Sequence, residues 1–206
     1  ISMIVGSFGG LAENSIRRVL GYQMLNGMPF ILVMMAFTTH DAQRALAAGI
    51  LYTIHHMLTV GSLILASGAI EETYGTGRLN KLSGLARRDP IIAWIFAAGA
   101  FSVVGFPPFS GMWGKVLIVA EIARTGGGWA WTVIAVIIIA SFAAFLSMLR
   151  VWRRVFWGKD LPKEKVPKEL VIRKKLMAPS AALILGSLTM FLLSVSYTHL
   201  RAHETS

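Results

Sequence analysis

Five long stretches without Asp, Glu, Lys or Arg constrain this chain more than any other feature. They occupy residues 19–40, 45–70, 90–114, 125–149 and 176–200. Each run reaches the roughly 20 apolar residues that a helix needs to cross a bilayer. The runs are apolar all round, whereas membrane β-strands hold about 9 to 11 alternating residues. The pattern therefore predicts an all-α fold, a polytopic transmembrane bundle of about six to seven helices.

The composition excludes a soluble enzyme. Hydrophobic residues make up 55% of the 206 residues and charged residues only 15%, so too little polar surface exists to cover a soluble fold. Cysteine is absent, which leaves no disulfide framework and no thiolate metal site. We expect no cofactor and no metal.

The first and last residues of the sequence suggest how the chain is organised. The first residues, 1–12, are apolar but lack the basic start and small-residue cleavage site of a signal peptide, so we expect the stump of a longer protein. Residues 197–206 break the apolar pattern and are expected to be a non-native tail. Residues 1–196 then form one membrane domain.

Helices are expected at 1–12, 19–38, 43–70, 91–105, 109–124, 129–156 and 176–196. Pro107 and Pro108 divide one charge-free run, because tandem prolines remove two amide donors and disfavour the helical region before them. A Pro/Gly-broken helix is therefore expected around 105–115.

The loop 150–175 holds ten Lys and Arg against three acidic residues. Nucleic-acid binding is one interpretation of such a cluster. Because the loop lies between two predicted membrane helices, the positive-inside rule is the better interpretation of its charge. It predicts that the loop is cytoplasmic in a plasma-membrane protein. If all seven helices cross the membrane, alternation also places 39–42 and 106–108 inside. It places 13–18, 71–90 and 124–128 outside.

Lys115 is the first candidate functional residue, because a lysine in mid-membrane costs about 2.5 to 3.5 kcal/mol on insertion scales. The surrounding glycines and prolines would leave backbone carbonyls unpaired, which favours a broken helix lining a hydrated cavity. A desolvated amine there could load and unload a proton. The alternative is a lysine that snorkels to the interface from a helix end.

His55 and His56 lie in the middle of the 45–70 run. Imidazole both donates and accepts hydrogen bonds and titrates near pH 6.5, which suits a proton relay. Adjacent residues on a helix point about 100° apart, so we expect only one ring to face the bundle interior. The alternative is a histidine that only joins neighbouring helices by a hydrogen bond. Glu121 is expected to pair with Arg124 at the edge of the membrane.

Five segments resemble the antiporter-like membrane subunits, most closely the D subunits of the Mrp-type multisubunit sodium/proton antiporters. They are NSIRRVLGY at 14–22, LYTIHH at 51–56, GTGRLNKLSGL at 75–85, GFPPFSGMWGK at 105–115 and RVWRRVFWG at 150–158. The related proton-pumping subunits of respiratory NADH dehydrogenase and membrane hydrogenases share these motifs. The resemblance covers residues 1–195.

The resemblance implies a fourteen-helix fold with two inverted five-helix repeats, of which this chain is the second half. Lys115 matches the lysine of the second broken helix, and His56 matches the histidine of the helix before it. Arg17 matches a position that holds lysine in many relatives; since arginine does not deprotonate, it implies a fixed charge. Val60 replaces a lysine that often follows the histidine pair.

Two functions are therefore expected from the sequence. The first is a membrane subunit of a monovalent cation/proton antiporter, a secondary transporter rather than an enzyme, with Lys115, His56, His55 and Arg17 along its proton path. Its partners would be other membrane subunits of the same complex, the lipid bilayer, protons and monovalent cations, with no nucleic acid. The alternative is a proton-pumping subunit of a redox complex. A purely structural subunit is the third possibility.

Overall fold

The computed structural model describes residues 1–38, 41–107, 109–159 and 170–204, with side chains described as far as residue 190. Within these ranges the chain is all-α, as predicted, and contains no strand beyond an isolated bridge between Ser15 and Arg78. The expectations for Pro108, for the middle of the basic loop and for the side chains of the tail lie outside the described residues.

Eight α-helices form the bundle in the described part of the chain. They are α1 Ser2–Ala12, α2 Ile16–Ala36, α3 Ala42–Tyr74, α4 Leu85–Arg88, α5 Pro90–Val104, α6 Ser110–Thr125, α7 Gly127–Val151 and α8 Lys174–Glu204. The seven predicted helices are confirmed, and only the short α4 was not expected. The longest helix, α3, ends at Gly75, whose φ of +69° is the left-handed conformation that glycine adopts most readily.

In the part of the chain that the structure describes, three helices are long and apolar enough to cross a bilayer: α2, α3, and α7 continued through a π-helical turn, Trp152–Phe156. The apolar helices α1 and α5 are shorter. Large apolar side chains such as Leu32, Met57 and Phe142 are exposed on the outside of the bundle. Lipid is the solvent that suits such a surface, which agrees with the polytopic membrane fold.

The helices α5 and α6 together form one broken crossing of the bundle. Gly105 ends α5 with a φ of +92°, and α6 begins five residues later. The ring of Phe106 packs 5.7 Å from that of Phe145, centre to centre, in the second half of α7. The predicted break is therefore confirmed, and it lies part of the way along the crossing rather than at an end of the bundle. The expectation that the segment 106–108 is a loop on the cytoplasmic side does not hold for its described residues.

Hydrogen bonds join three loops at one end of the bundle. The amide of Leu79 donates to the carbonyl of Asn14 at 2.9 Å. The hydroxyl of Ser83 donates to the carbonyl of Lys159 at 2.6 Å. The loops before α2, after α3 and after α7 therefore share one end.

This arrangement corrects the expected alternation of loops. Residues 13–18 and 71–90 lie on the same side as the described parts of the 150–175 loop, not on the opposite side. Residues near the end of α2 and the start of α3 pack with residues near the end of α6 and the start of α7 in a second apolar core, so these helix ends share the other end of the bundle. The physical reason is that α5 and α6 together cross the bundle once, whereas the sequence analysis counted them as two separate membrane crossings.

The shared end carries most of the positive charge, and we call it the basic end. Of the lysines and arginines whose side chains the structure describes, thirteen lie there, whereas Arg44 and Arg124 lie at the other end and Lys115 between them. The thirteen are Arg17, Arg18, Arg78, Lys81, Arg87, Arg88, Arg150, Arg153, Arg154, Lys159, Arg173, Lys174 and Lys175.

The buried carboxylate of Asp89 holds the basic end together. It accepts hydrogen bonds from the hydroxyl of Tyr74, at the end of α3, and from the amide of Ile172, before α8, the latter at 3.0 Å. A buried carboxylate with two donors is well satisfied and ties three segments to one point.

Candidate functional site: the helix break and its polar neighbours

The amine of Lys115 binds directly at the helix break. Its Nζ donates to the carbonyl of Val104, the last residue of α5, at 2.8 Å and to Oγ of Ser141 on α7 at 3.1 Å. It also lies 5.6 Å from the centre of the Phe30 ring, within cation–π distance. The amine thus supplies a donor to a carbonyl that the break releases, rather than extending toward a helix end as the snorkelling alternative predicted.

Two glycines allow the helices to approach closely at this point. A Cβ on Gly111 would lie 1.8 Å from the carbonyl oxygen of Ser102, and a Cβ on Gly114 would lie 2.9 Å from the ring of Tyr52. Neither position has room for a side chain. The glycines of the 105–115 motif therefore bring α6 into contact with both α5 and α3.

The imidazole of His55 is enclosed by hydroxyl groups from three helices. Its Nδ1 lies 2.7 Å from Oγ of Ser110, 3.2 Å from Oγ of Ser187 and 3.4 Å from Oγ1 of Thr59. Oγ of Ser110 is in turn 3.3 Å from Oγ of Ser102. All five residues are buried, and we call them the hydroxyl cluster.

The hydroxyl cluster and Lys115 both involve residues of α5 and α6 next to the same break. Ser110 is in the first turn of α6, and Ser102 precedes Val104 by two residues on α5. The carbonyl of Val104 binds the amine. Polar groups therefore line the break from the imidazole of His55 to the ammonium group of Lys115.

His56 is also buried, with 4% of its surface exposed, against 2% for His55. Its ring stacks on Tyr52 with centres 5.7 Å apart and lies against Gly27 of α2. The expectation that only one imidazole faces the interior is wrong. Because α3 packs between α2 on one side and α6 and α8 on another, the rings of His55 and His56 both point into the bundle.

The structure places Arg17 at the basic end, apart from the break. Its guanidinium pairs with the carboxylate of Glu71 at 2.5 Å, and its side chain is 60% exposed. Glu121 pairs with Arg124 at 2.6 Å, as predicted. Within the described ranges, no three His, Asp or Glu side chains come close enough to bind a metal ion together.

Sequence reasoning missed the hydroxyl partners of His55 and the buried amides of α2. Single serines and threonines in apolar helices carry little signal, because their hydroxyls commonly bond to the preceding turn of their own helix. Gln23 and Asn26 could have been noticed, since primary amides within a membrane run are costly to bury.

An all-α bundle with membrane-length helices, an internal helix break and a lysine bound at that break defines a class: a polytopic membrane protein with an ionisable group inside. The family described as NADH:quinone oxidoreductase/Mrp antiporter, TM, matches residues 1–147. The chain belongs to this family, as the sequence motifs indicated.

Known relatives agree with this assignment. The D subunit of the Na(+)/H(+) antiporter of Bacillus subtilis is 32% identical over 191 residues, which cover 91% of this chain and 36% of that protein. A chain in the Mrp complex of Dietzia sp. superposes with a TM-score of 0.85 at 30% identity, covering 95% of this chain and 43% of its own length. A chain of respiratory complex I from Thermus thermophilus shares the fold, with a TM-score of 0.75 at 21% identity over 92% of this chain and 38% of that one. The present chain thus spans about a third of the curated relative.

Proposed function

We propose that this chain forms part of a membrane subunit that exchanges monovalent cations for protons. The observation that carries the proposal is the amine of Lys115, bound at a helix break whose flanking residues also contribute to the hydroxyl cluster. An ionisable group inside a membrane bundle is energetically costly, and such groups therefore usually mark a functional site. The names of the Bacillus and Dietzia proteins, an Na(+)/H(+) antiporter subunit and an Mrp complex, support the same function.

In this mechanism Lys115 is the switchable charge. Its hydrogen bonds to Val104 and Ser141 hold the protonated amine beside the break, and loss of the proton removes one positive charge from the bundle interior. His55 can pass a proton because its ring nitrogens both donate and accept, and three hydroxyl groups surround one of them. His56 extends this relay toward α2. Arg17, which cannot deprotonate, acts as a fixed charge at the basic end.

The complete transport path requires more than this chain. We infer that residues 1–196 are the second half of an antiporter-like domain, in line with the share of the relatives that they cover. The other half and further membrane subunits of the same complex would complete the proton path and provide for the cation.

The exchange activity can be tested in everted membrane vesicles that contain the complete subunit with its partners. After a proton gradient is formed, adding Na⁺, Li⁺ or K⁺ should dissipate it, and a pH-sensitive dye reports the change. Vesicles without the subunit serve as the control. If no cation dissipates the gradient and proton uptake instead requires oxidation of NADH or another electron donor, the alternative function as a redox-driven proton pump is correct.

We further propose that the basic end faces the cytoplasm of a cell whose plasma membrane holds the protein. The support is the contrast, among the described side chains, between thirteen basic residues at one end and Arg44 and Arg124 at the other, because Lys and Arg are enriched in cytoplasmic loops. With the broken helix counted as one crossing, the charge difference is far larger than the sequence alone suggested.

Single cysteines test this orientation, since the chain has none of its own. Asn80 is exposed at the basic end, and Gly128 is exposed at the other end. In a complex with no other cysteine, a membrane-impermeant maleimide should label Gly128→Cys in intact cells and Asn80→Cys only in everted vesicles. The reverse labelling pattern would show that the basic end faces outward.

A further inference from the structure

An apolar groove lies between α5 and α7 and opens to the outside of the bundle. It encloses about 420 Å³, and every residue that lines it is apolar. Along α5 the lining extends from Pro90, the first residue of the helix, to Val104, the last. Phe145 and Leu149 line it from α7. No side chain of this lining takes part in the proposed proton path.

The groove extends over about one leaflet of a bilayer. It begins at the basic end, where Ala86 and Trp157 line it, and it stops at the helix break, where Val104 lines it. The 15 residues of α5 rise about 22 Å, whereas the hydrocarbon core is about 30 Å thick and one leaflet about half of that. A membrane helix of a partner needs the whole core. A groove that stops at the break therefore fits a lipid acyl chain better.

Exposed tryptophans mark the mouth of the groove as the level of the lipid headgroups. Trp94, one turn into α5, is 77% exposed, and Trp157, directly after the π-helical turn, is 58% exposed. Both line the groove. Tryptophan is enriched at the membrane interface, because its ring is apolar and its N–H group is polar. A lipid whose acyl chain lies in the groove therefore has its headgroup beside these two residues.

Arginines adjoin the lining residues at this mouth. Arg87 directly follows Ala86, and its guanidinium donates to the carbonyl of Gly158, at the end of the π-helical turn. Arg153 directly follows Trp152; it is exposed and forms no hydrogen bond or ion pair with another described residue. Guanidinium groups bind phosphate through paired N–H donors, and basic groups at the membrane surface attract anionic headgroups. The charge at the mouth thus complements an anionic lipid.

We propose that the groove binds an acyl chain of an anionic phospholipid, whose phosphate is held by Arg87 and Arg153. The chain fills the space between α5 and α7 and reaches Val104, whose carbonyl binds the amine of Lys115. A zwitterionic phospholipid offers the same chain but no net negative charge, so the two arginines select against it. This inference goes beyond the exchange function and does not depend on it, because lipid binding is measured without transport.

Photo-cross-linking in the complete complex tests the lipid site. Phosphatidylglycerol with a diazirine on one acyl chain, added in detergent, should label the α5 and α7 peptides of the groove. The labelling should be at least about fivefold stronger than with phosphatidylcholine that carries the same chain. Equal labelling by the two lipids would overturn the anionic headgroup. Absence of labelling from both would show that a partner subunit covers the groove, and would overturn the lipid site.

Substitutions then test the residues that hold the lipid. Arg153→Gln and Arg87→Gln should each lower labelling by phosphatidylglycerol about fivefold, because each basic group near the headgroup adds that much to the binding of an anionic lipid. Arg78→Gln is the matched control, since Arg78 is an exposed arginine at the same end and lies on the loop after α3, away from the groove lining. Labelling that is the same in Arg153→Gln and Arg78→Gln, in complexes of normal yield, would overturn the proposal.

Filling the groove provides an independent variant. Ala97 lines it halfway along α5, and Ala97→Phe places an aromatic ring where the acyl chain would lie. We expect labelling of the groove by phosphatidylglycerol to fall at least about tenfold, because the chain is excluded by volume. Ile138→Phe is the control, since Ile138 is 62% exposed on α7 and does not line the groove. Unchanged labelling in an assembled Ala97→Phe complex would place the lipid elsewhere and overturn the site.

Discussion

Replacing Lys115 with alanine is expected to lower cation/proton exchange by at least about a hundredfold while the complex still assembles. The amine is the switchable charge of the proposed mechanism, and proton transfer by a positioned group contributes about a hundredfold or more where it has been measured. Its removal also leaves the Val104 carbonyl and the Ser141 hydroxyl without their shared partner. Dye-monitored exchange in vesicles, corrected for the amount of assembled subunit, measures the loss.

A conservative substitution separates titration from architecture. Lys115→Arg keeps a positive charge that can reach the same acceptors, but arginine does not release its proton. We therefore expect it to assemble and to be as inactive as Lys115→Ala. Lys81→Ala is the matched control, because Lys81 is exposed at the basic end and its loss should leave exchange unchanged. Full exchange in Lys115→Arg would show that the residue serves only as a fixed charge.

Replacing Gly111 with alanine is expected to disrupt the helix break and with it the assembled subunit. The added Cβ would lie 1.8 Å from the carbonyl oxygen of Ser102 and 2.9 Å from Nε2 of His55. Because the nearer atom belongs to the backbone of α5, two helices must separate, and we expect a cost of about 3 kcal/mol or more. The yield of monodisperse complex in detergent and its thermal midpoint should both fall.

Gly68→Ala provides the control for this substitution. Gly68 lies within α3, and a Cβ there would meet no atom within 4 Å. Alanine favours a helix over glycine by up to about 1 kcal/mol, so stability should be unchanged or slightly raised. If Gly111→Ala and Gly68→Ala had the same thermal midpoint, the close packing of α5 on α6 would not be needed for the fold.

Much of the fold could be predicted because a bilayer restricts the alternatives. A run of about 20 apolar residues can satisfy its backbone in lipid only as a helix, so the seven helices followed from local composition alone. The break around 105–115 was equally local, since Pro107 and Gly105 stop a helix wherever they occur. Lys115 was identified because a charge is rare in such a run.

The partners of these residues could not be predicted, because they come from distant parts of the chain. His55 meets Ser187 across 132 positions, and Ser141 reaches Lys115 from another helix. Hydroxyl side chains have no periodicity that marks them as ligands of an imidazole. The burial of both histidines likewise depended on how many helices surround α3, which no local pattern specifies.

The sequence by itself determined that this protein is a bundle of membrane helices with a lysine beside a helix break. Local chemistry was sufficient, since each helix satisfies its own backbone hydrogen bonds. The tertiary structure alone decided that the two halves of the broken helix form one crossing, because only contacts between helices show where a break lies in the bundle. That one fact gathers the basic loops at a single end and brings the imidazole of His55 and the amine of Lys115 close to the same break.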